Sequence, residues 1–297
     1  MRTILTVLCT FLLSSALLSC RQPRGAEPLS YELVSTARDS VLAEKILLSL
    51  SSQKSKSTAE LMYIAGKALL GQPYVANTLE GGDHEQLRVY LTKTDCIIFV
   101  ETIYNLARTA KEGGTSFHDF TDNVCTTRYR GGVVRNYSDR VHYTTEWIRR
   151  NESSGLMKDI TMDLGGEVYD HPIDFMTTHA GSYVHLKDAA TDPVAAHDLE
   201  VISEVEKELS KTPMTYIPGE RIKDIEGGIR TGDIICYVAS SKGIDITHVV
   251  MAVVQDGKVG FMHASMGKMQ VVVDPLSIDE YVRRSKSICG IKVVRPL

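Results

Sequence analysis

The feature that most limits how this chain can fold is a change of hydrophobic period near Pro218. Before it, apolar residues recur three and four positions apart, the spacing of helices that bury one face. Phe99, Val100, Ile103, Leu106, Ala107 and Ala110 make the clearest such stripe, with Thr94 and Asp95 offering N-cap oxygens and Gly113-Gly114 ending it. Ser57-Thr58-Ala59-Glu60 reads as a capping box opening a helix over 58–70, the 31–50 stretch fits one or two amphipathic helices, and 199–211 fits another. After Pro218 the pattern becomes period-two alternation and short apolar runs at 233–238, 246–254, 259–264, 269–273 and 288–294. Asp256-Gly257, between two of these runs, is a hairpin dipeptide. Helices followed by a mainly antiparallel sheet define an α+β fold.

The N-terminus reads as an export signal. Arg2 precedes a mostly apolar 4–18 run, and roughly 15 such residues fall short of the about 20 that a membrane span needs. Leu17-Leu18-Ser19-Cys20 resembles the lipobox of bacterial lipoproteins. That likeness implies a signal peptide over 1–20, lipidation of Cys20, a polar tether over 21–30 and a periplasmic or outer-membrane-associated protein anchored to the membrane. Thirty-three basic and thirty-seven acidic side chains, with no long run of either sign, give no electrostatic case for a nucleic-acid partner. None of the six cysteines forms a Cys-x-x-Cys pair, and His142, His171, His179 and His185 lack ligand spacing, so neither a metal site nor a cofactor is expected.

Cys96 falls in the first turn of the 99–110 helix, near the positive end of its dipole, a placement that favours the thiolate. His248 and His263 lie in consecutive strand runs. If Asp256-Gly257 closes a two-residue hairpin, Val254 faces Val259, Val250 faces His263 and His248 faces Ser265, so both histidines share one face as diagonal neighbours. A thiol, a base and a group that orients the base are the parts of covalent catalysis. Trp147, the single tryptophan, is a candidate for stacking on a sugar ring, and one of Arg128, Arg130, Arg135 and Arg140 for gripping a carboxylate.

In order and spacing, Gly71-Gln72-Pro73-Tyr74, Thr94-Asp95-Cys96, Thr231-Gly232-Asp233-Ile234-Ile235, His248 and His263-Ala264 resemble the NlpC-type papain-like cysteine peptidases of bacterial cell-wall metabolism. The resemblance implies Cys96 as nucleophile, His248 as base, His263 as its orienter and Tyr74 near the oxyanion position. Many members carry Asp-Cys-Ser, where aspartate and serine grip a free peptide amine; here Asp95-Cys96-Ile97 lacks that serine. Thr-Asp-Cys-Ile-Ile-Phe-Val-Glu over 94–101, a long middle insertion, and Arg140-Val141-His142-Tyr143 leading to Glu146-Trp147 and Asn151 are more similar to the N-acetylmuramoyl-L-alanine amidase-like branch. This implies a papain-like domain over 58–297 with an insertion at about 115–218, preceded by a helical extension over 31–57. It also implies a cysteine amidase cutting the N-acetylmuramoyl to L-alanine bond of peptidoglycan fragments, with Tyr74, Asp95, Trp147 and Arg140 as oxyanion or substrate-binding residues. Two alternatives remain: an endopeptidase cutting between D-glutamate and the diamino acid of the stem peptide, and a non-catalytic wall-binding lipoprotein. The oligomeric state is not legible.

Overall fold

A computed structural model describes residues 29–297, so the expected signal peptide, Cys20 and most of the tether lie outside the described residues. The 31–50 stretch divides: Leu33–Val34 forms a short strand, β1, and only Ala37–Ser51 is helical, α1. Thr36 and Asp39 form a reciprocal capping box there. The same Asp39 carboxylate accepts the backbone N–H of Leu91 and Thr92 at 2.7 and 2.8 Å, pinning the bends before Cys96 to α1. Helix α2 (Thr58–Ala68) starts at the expected Ser57–Glu60 box. Strand β2 (Leu87–Arg88) pairs in parallel with β1.

Helix α3 (Cys96–Glu112) begins at Asp95, whose carboxylate accepts the Ile98 N–H at 3.0 Å, and stops at Gly113 with φ 89°. It is buried nearly all round, including the polar residues Glu101, Asn105 and Thr109. Helix α4 (Phe117–Arg128) covers them. Arg128 meets Glu101 at 2.5 Å, the Asn105 amide donates to Thr127 at 2.9 Å and the Asn123 amide donates to Thr109 at 3.0 Å. Each contact satisfies a group that burial otherwise penalises, and together they set how α4 slides along α3.

The remaining elements are α5 (Thr144–Ser153), β3 (Met157–Asp159), β4 (Glu167–Tyr169), α6 (Phe175–Thr178), α7 (Pro193–Lys211), β5 (Met214–Pro218), α8 (Ile222–Ile225), β6 (Ile234–Ala239), β7 (Ile246–Gln255), β8 (Lys258–Ser265), β9 (Gln270–Val273), α9 (Ile278–Arg284) and β10 (Ile288–Pro296). The strands from β3 onward form one antiparallel sheet, ordered β4-β5-β10-β6-β7-β8-β9, with β3 also on β10. Three of its strands therefore come from the 115–218 stretch, which threads through the same sheet. Gly290 permits this: a Cβ there would sit 2.2 Å from the Ile217 carbonyl of β5. Three cores flank the sheet: Val249, Met251, Met262 and Ala264 pack towards α1–α5, Tyr237, Val250 and Phe261 pack with α8 and α9 residues, and Met214 and Val238 pack with α6 and α7 residues.

The Asp256-Gly257 turn is as expected, with φ 51° and 75° and Gln255 opposite Lys258, and Val254 faces Val259. The β7–β8 ladder, however, ends at Met251↔Met262. Beyond it β7 keeps only its β6 partner and β8 only its β9 partner; the expected Val250–His263 and His248–Ser265 pairs do not form, although the register is unchanged.

Removing one partner of the buried Glu101–Arg128 pair leaves an unpaired charge in the core. Arg128→Met alone is expected to cost about 3–5 kcal/mol in urea unfolding, and Glu101→Leu with Arg128→Met much less. Equal losses in the single and double variants would contradict this account.

Candidate active site

The thiol sits where the sheet opens. Cys96 is carried by the first turn of α3, while the segment before it is zipped in place: Thr94 N–H donates to the Pro73 carbonyl at 3.0 Å and Val75 N–H to the Thr94 carbonyl at 2.8 Å. This brings Tyr74 beside Cys96. Tyr74, Cys96, His248 and His263 line one cavity of about 300 Å³, together with Tyr281 and the hydroxyls of Ser265 and Ser285. Four residues far apart in sequence thus converge where β7 and β8 part.

His248 and His263 are joined at 2.7 Å, Nε2 to Nδ1, with their rings nearly perpendicular. Sequence reading missed the next member, Asp274, which follows β9. Its carboxylate lies 3.3 Å from His263 Nε2, off the N–H axis, so the contact is more electrostatic than a formed hydrogen bond. The Asp274 charge favours a proton on the facing Nε2 of His263, which orders the tautomers in series. His263 carries its proton on Nε2 and accepts at Nδ1; His248 donates Nε2–H and keeps its lone pair on Nδ1. Tyr237, stacked 5.9 Å from His248 with its plane 7° away, and Tyr281 complete the aromatic wall around the two rings. No motif signals Asp274, because its role exists only once β8 and β9 are paired.

The electrostatics correct one expectation. Burial, with the nearby Asp95 charge, pushes the Cys96 thiol up to about 11, outweighing the N–H groups of Val249, Ile97 and Cys96 itself. Burial, helped by His263, lowers His248 to about 3. At neutral pH the pair is therefore thiol and neutral imidazole, and the helix start does not leave a standing thiolate. Burial also raises Tyr74, with Cys96 and Asp95 adding to it. Among the described residues no hydrogen bond joins Cys96 Sγ to His248.

Asp95, Arg140 and Trp147 are brought together elsewhere, in a neighbouring cavity of about 210 Å³. Trp147 is only 4% exposed and packs edge-on against Tyr104, so it offers no open face for stacking. Arg140 is 3% exposed and already meets Glu80 at 2.6 Å, Arg128 meets Glu101, and Arg130 meets Glu146; none has its charge free for a ligand carboxylate. Arg135 is exposed. The scattered histidines are held by separate rings: His142 and His185 by Tyr137, His171 by Tyr169, and His179 by Phe175.

Residues 64–291 match the model of the AmiA-like family, described as N-acetylmuramoyl-L-alanine amidase-like. The chain belongs to that family. Comparison with curated proteins finds no match. Two solved structures of an N-acetylmuramoyl-L-alanine amidase from Bacteroides uniformis are similar to this AmiA-like chain. One is 29% identical, with a TM-score of 0.74, covering 81% of this chain and 99% of its own. The other is 28% identical, with a TM-score of 0.71, covering 80% and 98%. A Legionella pneumophila protein, 20% identical with a TM-score of 0.64, covers 88% of this chain and 95% of its own and shows the shared fold alone.

Asp274 raises the His263 pKa, which burial lowers. Asp274→Asn removes that support, so the His263 imidazole is expected to titrate at a lower pH than in the unaltered protein. NMR of ring-labelled histidine measures this directly, and an unchanged or raised titration point would remove Asp274 from the chain of contacts.

Proposed function

We propose that the protein is a cysteine amidase with a papain-like site that hydrolyses the N-acetylmuramoyl to L-alanine bond of peptidoglycan fragments. The observation that carries this reading is the single cavity holding a helix-start thiol, a tyrosine hydroxyl and a hydrogen-bonded pair of histidines. Membership of the AmiA-like family supports the choice of bond.

The residues account for each step. Cys96 Sγ adds to the lactyl carbonyl as its proton passes to His248 Nδ1, the nitrogen that the His263 contact leaves with a lone pair. Because thiol and imidazole both start neutral, charge develops only during attack. The imidazolium is then steadied through His263 towards Asp274. Backbone N–H of Cys96 and the Tyr74 hydroxyl are the donors for the oxyanion. Collapse breaks the C–N bond, and His248 hands its proton to the alanine nitrogen, which leaves as the amine. Water, deprotonated by His248, then cleaves the thioester and regenerates the thiol. The missing Sγ–imidazole hydrogen bond is compatible with this sequence, since such contacts tighten when substrate binds.

Ile97, where an amine-gripping serine stands in many stem-peptide endopeptidases, favours the muramoyl bond over the peptide bond further along. Digestion of a defined muramoyl tripeptide followed by mass spectrometry tests this choice. Free tripeptide is expected, and Cys96→Ala should abolish its release; a muramoyl dipeptide as sole product would overturn the assignment. We further propose that the mature chain is anchored through lipidated Cys20. Cys20→Ala should move the protein from the membrane to the soluble fraction, and unchanged fractionation would argue against the anchor.

A further inference from the structure

Helix α1 is apolar on two faces. Its inner face buries Ala43, Ile46, Leu47 and Leu50 in the core. On its outer face Arg38, Val41, Lys45 and Leu48 recur three and four positions apart and are all exposed, Val41 at 66% and Leu48 at 71%. Packing of the fold accounts for the first set alone.

This outer face continues across the surface. A groove of about 760 Å³ separates it from Gln72, Pro73 and Thr92, with Val41, Leu42 and Pro73 as apolar walls. Beyond Pro73, the Tyr74 N–H donates to the Met269 carbonyl at 3.0 Å, which sets the exposed Val75, Met266 and Met269 next to the groove. Met266 also lines the histidine cavity, so the apolar surface reaches the rim of the candidate active site.

Its charge is of one sign. Arg38 and Lys45 line the groove without a carboxylate, and Lys268 stands exposed between Met266 and Met269. None of these cations is ion-paired among the described residues. The chain as a whole has a net charge of −4, so the patch runs against its average. Apolar side chains interspersed with lysine and arginine match an anionic lipid surface, where headgroup phosphates meet the cations and the apolar groups enter the acyl boundary. A nucleic acid would answer the charges and leave valine, leucine and methionine in water.

We propose that the outer face of α1, with the 72–75 and 266–269 turns, is a docking surface for an anionic membrane that holds the mouth of the histidine cavity at the bilayer. The length of chain before the first described residue agrees: residues 21–28 span at most about 28 Å when extended, so a body tethered at Cys20 stays within reach of the bilayer. That agreement rests on the lipid-anchor reading, and the surface itself does not. So few cations and apolar groups bind reversibly, which means that the surface orients the protein while the lipid retains it.

The test uses the chain from Arg21 onward, which keeps every residue the structure describes and carries no lipid, so the result is independent of Cys20. Vesicles of equal parts phosphatidylcholine and phosphatidylglycerol are expected to co-sediment it about tenfold more effectively than phosphatidylcholine alone, and added salt should weaken the binding. Arg38→Glu with Lys45→Glu should lower binding to the anionic vesicles about tenfold. Val41→Ser with Leu48→Ser should lower it as well, and both pairs should keep the parent's urea midpoint because the altered side chains are exposed. No binding, equal binding to the two vesicles, or no loss in either pair overturns the proposal. Concentration-dependent self-association that either pair abolishes in sedimentation velocity overturns it too, by assigning the face to a second copy. Binding that appears only in a chain beginning at Leu29 would instead make the 21–28 segment the occupant.

Discussion

A buried ion pair one turn and a half beyond the thiol underlies the rest of the structure. Glu101 of α3 and Arg128 of α4 meet at 2.5 Å with almost no exposure, and Arg128 also donates to the Arg88 carbonyl of β2. Three segments are tied at one point, and the desolvation of both charges is tolerable only while all three stay docked. Helix α3 can then be buried on every side, with its apolar face against β7 and β8 and its polar stripe against α4. A helix held this way has no freedom to rotate, so Cys96 and the Asp95 cap present fixed atoms to the cavities on either side.

The parting of β7 from β8 is the second constraint. A continuous ladder would occupy the backbone groups around Val249 and close the space between the histidine-bearing strands. Ending the ladder at Met251↔Met262 parts the two histidine-bearing strands, while β9 on the other edge of β8 sets Asp274 at the end of the histidine relay. The same opening lets Val249 N–H bear on the thiol. Burial nevertheless dominates the electrostatics, raising the thiol and lowering the imidazole. A neutral pair of thiol and imidazole keeps charge out of a low-dielectric site.

The middle of the chain, opaque as sequence, is integral to the sheet. Its short strands β3, β4 and β5 complete the sheet, and its helix α5 turns Trp147 towards the α3 start. Sequence reading named Trp147 and Arg140 as substrate-binding candidates; both are buried, and the arginine charge is already matched by Glu80. Composition carries no record of which charges find internal partners, because those pairings join residues 16 to 60 positions apart.

Local signals were sufficient for much of the architecture. The capping box at Ser57, the Asp95 cap, the Gly113 stop and the Asp256-Gly257 turn each depend on atoms a few residues apart, so the sequence alone determined the starts of α2 and α3 and the hairpin register. Register in turn determined that His248 and His263 share a face. Tertiary structure decided the remainder: that Glu101, Asn105 and Thr109 face a helix instead of water, that the hairpin splays before the histidines, that Asp274 closes the relay, and that burial prevails over the helix dipole at Cys96. These outcomes depend on which surfaces lose their water when distant segments dock, and desolvation is a property of the assembled interior that no local run of residues carries.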